Sequence, residues 1–312
     1  MDGVQHLAMA NDHNDATYNV NSKVYRWHDA SESFVELQSI PTNGAQAWAA
    51  FSMDGVQHLA VANNYNDATY NVNSKVYRWH DASESFVELQ SIPTKGAQAW
   101  AAFSMDGVQH LAVANYHNDA TYNVNSTVYR WHNASESFVE LQSISTNGAY
   151  AWAAFSMDGV QHLAVANHYN SRTYNLNSKV YRWHDASESF VELQSIPTKG
   201  AKAWAAFSMD GVQHLAVANH YNDATYNVNS KVYRWHDASE SFMELQSIPT
   251  NGAQMDHHHH HDDPHGHIYL YGASLDVWFA FADVGAWSLV AFGGYLAVLS
   301  LLVLMAKLWT KA

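Results

Sequence analysis

Apolar and polar positions along this chain alternate in short runs, each closed by Gly, Pro or Asn. In one stretch, residues 56–62 read Val-Gln-His-Leu-Ala-Val-Ala, rich in strand formers with imperfect alternation, and residues 75–79 read Lys-Val-Tyr-Arg-Trp with clean alternation. Residues 85–92 follow with Phe86, Val87 and Leu89 as their apolar set, and residues 99–103 read Ala-Trp-Ala-Ala-Phe. Pro93 and Gly96 punctuate the third and fourth runs, and Asp106-Gly107 between two apolar runs is a tight-hairpin signal. Trp100 and Phe103 stand three apart, but runs of five to eight residues bounded in this way are too short to hold as helices. The pattern predicts four strands.

The same pattern returns every 52 residues: Met-Asp-Gly-Val-Gln-His-Leu-Ala begins at Met1, Met53, Met105, Met157 and Met209. A fixed period of this size marks a repeat architecture, in which no unit buries its own apolar face alone. Four short antiparallel strands per period predict an all-β, propeller-like array of five four-stranded repeats over residues 1–254. The first repeat lacks the Ala-Trp-Ala-Ala-Phe run before its Asp-Gly turn and the fifth stops at Gln254 before reaching it, so the count is nineteen strands. Met1 aligns with Met53, inside a repeat, and residues 1–10 lack the basic and apolar regions of a signal peptide.

Composition narrows the class. The chain has 312 residues, 47% hydrophobic and 13% aromatic, ample for a packed core. A formal charge of −14 with only 15 Lys and Arg excludes a nucleic-acid surface, which needs a clustered positive field. With no cysteine there are no disulfides, thiolate metal sites or cysteine nucleophile.

Asp54 to Asn63 (Asp-Gly-Val-Gln-His-Leu-Ala-Val-Ala-Asn), Tyr70, Asn73-Ser74, Val76-Tyr77-Arg78-Trp79, Phe86, Gln90, Ile92-Pro93-Thr94, Gly96-Ala97 and Trp100 together resemble the EPTP repeat, also called the epilepsy-associated or EAR repeat. The resemblance covers residues 1–254. It implies a β-propeller, usually of seven blades, in secreted or cell-surface proteins that bind other proteins and have no enzymatic activity.

The five copies differ mainly in the loop after the first run of the repeated phrase, at Asp12-His13, Asn64-Tyr65, Tyr116-His117, His168-Tyr169 and His220-Tyr221, and again at Gln46, Gln98, Tyr150 and Lys202. Candidate partner-binding residues are His13, Tyr65, Tyr116, His117, His168, Tyr169, His220 and Tyr221, amphipathic tips on one face that can meet a protein or a glycan. Drift at unconstrained tips is the competing explanation. The loop Asn66-Asp67-Ala68-Thr69-Tyr70-Asn71 offers oxygens to calcium, but its carboxylates are sparse and Asn commonly serves as a turn residue. His28, His80, His132, His184 and His236 recur once per repeat, either as strand-ending structural residues or as a metal ring. Asn133-Ala134-Ser135 is a glycosylation sequon.

After Gln254 the character changes. Residues 255–267 form a His-rich linker in which His257, His258, His259, His260, His261, His265 and His267 can take up a divalent metal adventitiously; no other cofactor is expected. Residues 268–283 read as an aromatic juxtamembrane segment and 307–312 as a short basic tail. Between them, 284–306 hold no charge over 23 positions, about 34 Å of helix at 1.5 Å per residue, which predicts a single transmembrane helix with Gly293 and Ala297 as a small-residue packing pair. Lys307 and Lys311 after the span favour a cytoplasmic C-terminus with the repeats outside or in a lumen, as the family resemblance also implies; a tail-anchored chain with its repeats in the cytosol is the alternative.

Two functions fit. One is a membrane-anchored recognition or adhesion module whose repeated loops bind a protein or glycan. The other is a single-span accessory subunit of a larger respiratory or photosynthetic membrane complex, docked through residues 268–312. No asymmetric catalytic constellation stands apart from the repeats, so the expectation is that the chain is not an enzyme.

Overall fold

The computed structural model describes residues 5–255 together with the strands Leu270–Gly272, Trp278–Phe279 and Val290–Ala291. The repeats fold into five antiparallel sheets, here called blades, each a simple up-and-down meander. Blade one has three strands, His6–Met9, Asn21–His28 and Ser33–Pro41. Blade two has the full four, Ala45–Met53, Val56–Asn63, Asn73–His80 and Ser85–Pro93. Blades three to five repeat it from Ala97–Met105, Ala149–Met157 and Ala201–Met209 onward. Each complete sheet therefore starts one strand ahead of the Met-Asp-Gly phrase.

The nineteen expected strands are present, and one more follows them. Ala253–Met255 stands one period after Ala201, packs against the first two strands of blade five and pairs with Leu270–Gly272. The expected transmembrane helix is not found among the described residues. No helix among the described residues is long and apolar enough to cross a membrane, and Val290–Ala291, inside the segment read as a span, is strand paired with Trp278–Phe279. The rest of 284–306, with Gly293 and Ala297, lies outside the described residues, as do the seven linker histidines.

The core lies between blades. In the second strand of blade two both faces are buried, which is why its alternation looked imperfect. Leu59 and Val61 point to Val24 and Ile40 of blade one, while Ala60 and Ala62 join Trp100 and Leu111 of blade three. Small residues on one face thus receive large ones from the next sheet, as close packing requires. Two polar contacts recur across these layers. Trp100 Nε1 donates to the Val61 carbonyl at 2.9 Å, Trp152 to Val113 at 2.9 Å and Trp204 to Val165 at 3.0 Å. On the outer strands, Gln38 Nε2 donates to the Phe86 carbonyl and its Oε1 accepts from the Phe86 amide, each at 2.8 Å. Gln90 with Phe138, Gln142 with Phe190 and Gln194 with Phe242 repeat the bidentate contact. A bulge enables it: Val76 opposes Gln90 and Tyr77 opposes Glu88, so Leu89 is an extra residue that turns the outer strand toward its neighbour.

Trp152→Phe removes a buried donor and leaves the Val113 carbonyl short of a partner, at an expected cost of about 1–2 kcal/mol. Trp48, whose Nε1 has no partner among the described residues, should lose less as Trp48→Phe. Urea unfolding midpoints of the two variants check the ranking.

Candidate functional site

One end of blades two to five is built by the loop between the second and third strands and by the turn that enters the first; in blade one the corresponding loop joins its first two strands. In blade two the loop is set by its own side chains: Asn66 Oδ1 accepts from the Ala68 and Thr69 amides, and Thr69 Oγ1 accepts from the Asn71 amide at 2.9 Å. The entering turns carry glycine for a steric reason. Gly148 has φ +49° and its amide donates to the Tyr122 carbonyl of the preceding blade, while a Cβ there would fall 2.6 Å from the Tyr169 carbonyl oxygen.

Neighbouring loops are latched by a carboxylate. Asp67 Oδ1 accepts from the Tyr18 amide at 2.8 Å, and Oδ2 accepts from Asn19 Nδ2 at 2.7 Å and from the Thr17 hydroxyl. Asp119 takes the same three donors from Thr69, Tyr70 and Asn71, and Asp223 takes them from Thr173, Tyr174 and Asn175. The hydroxyl bond first, then the backbone amide, hold these carboxyls below the ordinary aspartate range. The Asp side chains that calcium would have needed are thus engaged by donors. No group of three or more metal-holding side chains occurs among the described residues.

Over the latches runs an unbroken belt of aromatic rings: His13, Tyr18, Tyr65, Tyr70, His117, Tyr122, Tyr169, Tyr174, Tyr221 and Tyr226, with successive centroids 4.4–5.1 Å apart. Most are half-buried. Burial, then neighbouring phenols, push Tyr70 and Tyr174 above the usual range, and burial holds His117 below its own, against the pull of Asp119.

The candidate residues divide between two layers. His13, Tyr65, His117, Tyr169 and Tyr221 belong to the belt, alternating with Tyr18, Tyr70, Tyr122, Tyr174 and Tyr226, which were not singled out because they never vary between copies. Tyr116, His168 and His220 instead form a second cluster beside the entering strands. There Tyr150 contacts Tyr116 and His168, and Lys202 Nζ lies 4.0 Å over the Tyr150 ring and donates to its hydroxyl at 2.8 Å. Burial first and Lys202 second push His168 down to about 3 and His220 down to about 4. His28, His80, His132, His184 and His236 lie at the opposite end, each ending its strand with Nδ1 against a serine hydroxyl, as in His80 and Ser83 at 2.9 Å. They are strand-ending residues.

Comparison with known proteins places the repeats. A family model described as the EPTP domain matches residues 33–80, 85–132, 137–184 and 189–236, each match joining the outer strand of one blade to the first three of the next. A human thrombospondin-type laminin G domain and EAR repeat-containing protein is 36% identical over 77% of this chain and 44% of its own length. A human leucine-rich repeat LGI family member 2 is 26% identical over 61% of this chain and 31% of its own. The chain thus spans less than half the length of these curated relatives. Among solved structures, the periplasmic gluconolactonase of Pseudomonas aeruginosa superposes with a TM-score of 0.64 at 18% identity, over 93% of this chain and 81% of that one. A protein from Lactobacillus plantarum gives a TM-score of 0.61 at 12% identity, over 93% and 82%. The expectation that the chain is not an enzyme is corrected by the first of these: a lactonase is built on the same fold, so the architecture does not exclude catalysis. At such identities the likeness concerns the fold alone.

His168 carries a testable pH dependence. The folded protein keeps it neutral well below pH 6.5, where the unfolded chain already binds a proton, so its stabilisation is complete above 6.5 and is lost as the pH falls toward about 3. At pH 5 the loss through this side chain is about 2 kcal/mol. His168→Asn, which installs the residue found at the equivalent Asn64, should lose less stability than the wild type between pH 7 and pH 5 in urea titrations.

Proposed function

The chain belongs to the EPTP domain family, and on that premise we propose that its blades form an extracellular module that recognises a protein partner through the aromatic belt. The observation that carries the reading is the belt's continuity: ten rings drawn from all five blades lie on one face. Tyrosines held by their neighbours offer large contact area at little further entropic cost, the composition that dominates binding hot spots. Repetition supports avidity, because several similar contacts act together where each alone is weak. Location outside the cell fits Asn133, the sequon asparagine, which is exposed in the turn between the third and fourth strands of blade three. That turn is at the end of the blade opposite the belt, so a glycan on Asn133 leaves the belt clear.

The test is a screen of the multimerised protein against a panel of extracellular ectodomains. The double variant Tyr169→Ser with Tyr221→Ser should weaken binding to a captured ectodomain by about tenfold or more, with the strand signal in circular dichroism unchanged. Ala82→Glu, at the opposite end, should leave binding intact. Binding that survives the double variant and is lost in Ala82→Glu places recognition on the other face and ends the proposal.

A further inference from the structure

Three of the four blade junctions hold an aspartate in the same three-donor cradle; the junction between blades three and four does not. Its donors are in place. Asn123 N donates to Thr121 Oγ1 at 3.0 Å, as Asn71 N does to Thr69, and Asn147 Nδ2 donates to Asn123 Oδ1 at 2.7 Å, as Asn43 does to Asn19. That leaves the Thr121 hydroxyl, the Tyr122 amide and the Asn123 amide nitrogen as donors, and no described residue supplies them an acceptor. The chain has Ser171 where Asp67, Asp119 and Asp223 stand, on the same left-handed backbone with φ 75° against 72°, 74° and 73°. Beside it, Arg172 replaces Ala68, Ala120 and Ala224.

We propose that Thr121, Tyr122 and Asn123, with Arg172, form a carboxylate-binding site whose ligand is an aspartate or glutamate side chain of the protein partner. Its geometry is demonstrated three times within the chain, each time around a carboxylate. Where the cradle is filled, the carboxyl is held in its charged form by the hydroxyl and the amide. Arg172 is exposed and adds a positive charge where the other junctions have a methyl group. Tyr122 and Tyr169, 4.9 Å apart, bring the site into the belt, so this inference rests on the reading of that face as a protein-binding surface. A chain of net charge −14 repels polyanions, so one arginine beside aromatic rings favours a single acidic side chain within an otherwise neutral contact. Thr225, Tyr226 and Asn227 repeat the donor sequence in blade five, but the loop that would follow one period later lies outside the described residues.

The experiment follows the Tyr122 amide by NMR in the full, isotope-labelled chain during titration with acetate, then with a short peptide bearing one Asp between apolar residues and with its Asn counterpart. Acetate should move the Tyr122 amide proton downfield and saturate, and the Asp peptide should bind about tenfold more tightly than the Asn peptide. In Ser171→Asp the same proton should start downfield and ignore acetate, with a raised melting temperature. Arg172→Ala should keep the response at several-fold weaker affinity. A Tyr122 amide indifferent to acetate, or one that responds equally in Ser171→Asp, overturns the site. Equal binding of the two peptides, or stronger binding of glucuronate than of the Asp peptide, overturns the protein side chain as its occupant. The acetate response depends on the cradle alone, so it stands or falls separately from the ectodomain screen.

Discussion

No sheet in this protein can bury its own faces, and everything else follows from how that constraint is met. A four-stranded meander has two apolar surfaces, and the second strand, as in residues 56–63, is apolar on both. Each blade therefore needs a neighbour on either side, and the needed complementarity is written into every copy as small residues facing one way and large ones the other. Directional contacts then fix how the layers meet. The indole bond acts near the inner strands, the glutamine amide pairs with a phenylalanine peptide unit on the outer strands, and the carboxylate latch ties the loops at one end. The indole bond is the buried one of the three, and a buried donor and acceptor add little net energy when paired and penalise misalignment heavily when not.

The same arrangement prepares the surface. The belt rings are held by each other, by the latches beneath and by glycine turns that admit the backbone of the next loop. Little conformational freedom is left in them for a partner to remove, which is the condition under which a modest surface binds well. Side chains that would otherwise be mobile tips become a fixed relief whose local features, such as Ser171 with Arg172, arise from small departures between copies.

Much of the fold was legible in the sequence because it depends on neighbours close in the chain. The Asp54-Gly55 turn, the strand that ends at Trp79 and His80, and the run from Phe86 to Ile92 are local patterns, and the structure holds them where the periodicity put them. Less was legible where the partner is nearly one period away. Gln38 meets Phe86 across 48 residues, and a polar residue in an outer strand gives no sign that it will grip the next sheet. The candidate site was read as one set of tips because adjacent residues such as Tyr116 and His117 vary together. The backbone turns between them, sending His117 into the belt and Tyr116 toward Tyr150. Tyr70 was passed over as invariant, although it is half of the belt's alternation. At the C-terminal end an uncharged apolar run suggested a span; of residues 284–306 the structure describes only Val290–Ala291, a short strand paired with Trp278–Phe279, and a short apolar run fits strand as well as helix.

The glutamine grip is chemically the same at all four junctions, from Gln38 to Gln194. Nothing in it identifies which blade is which, so any outer strand can accept any other's amide. Blade order is enforced instead by the short turns that join each outer strand to the next inner one. During synthesis or at high concentration, the same equivalence lets a blade from another molecule compete for the place of the correct neighbour, the failure to which repeated sheets are prone.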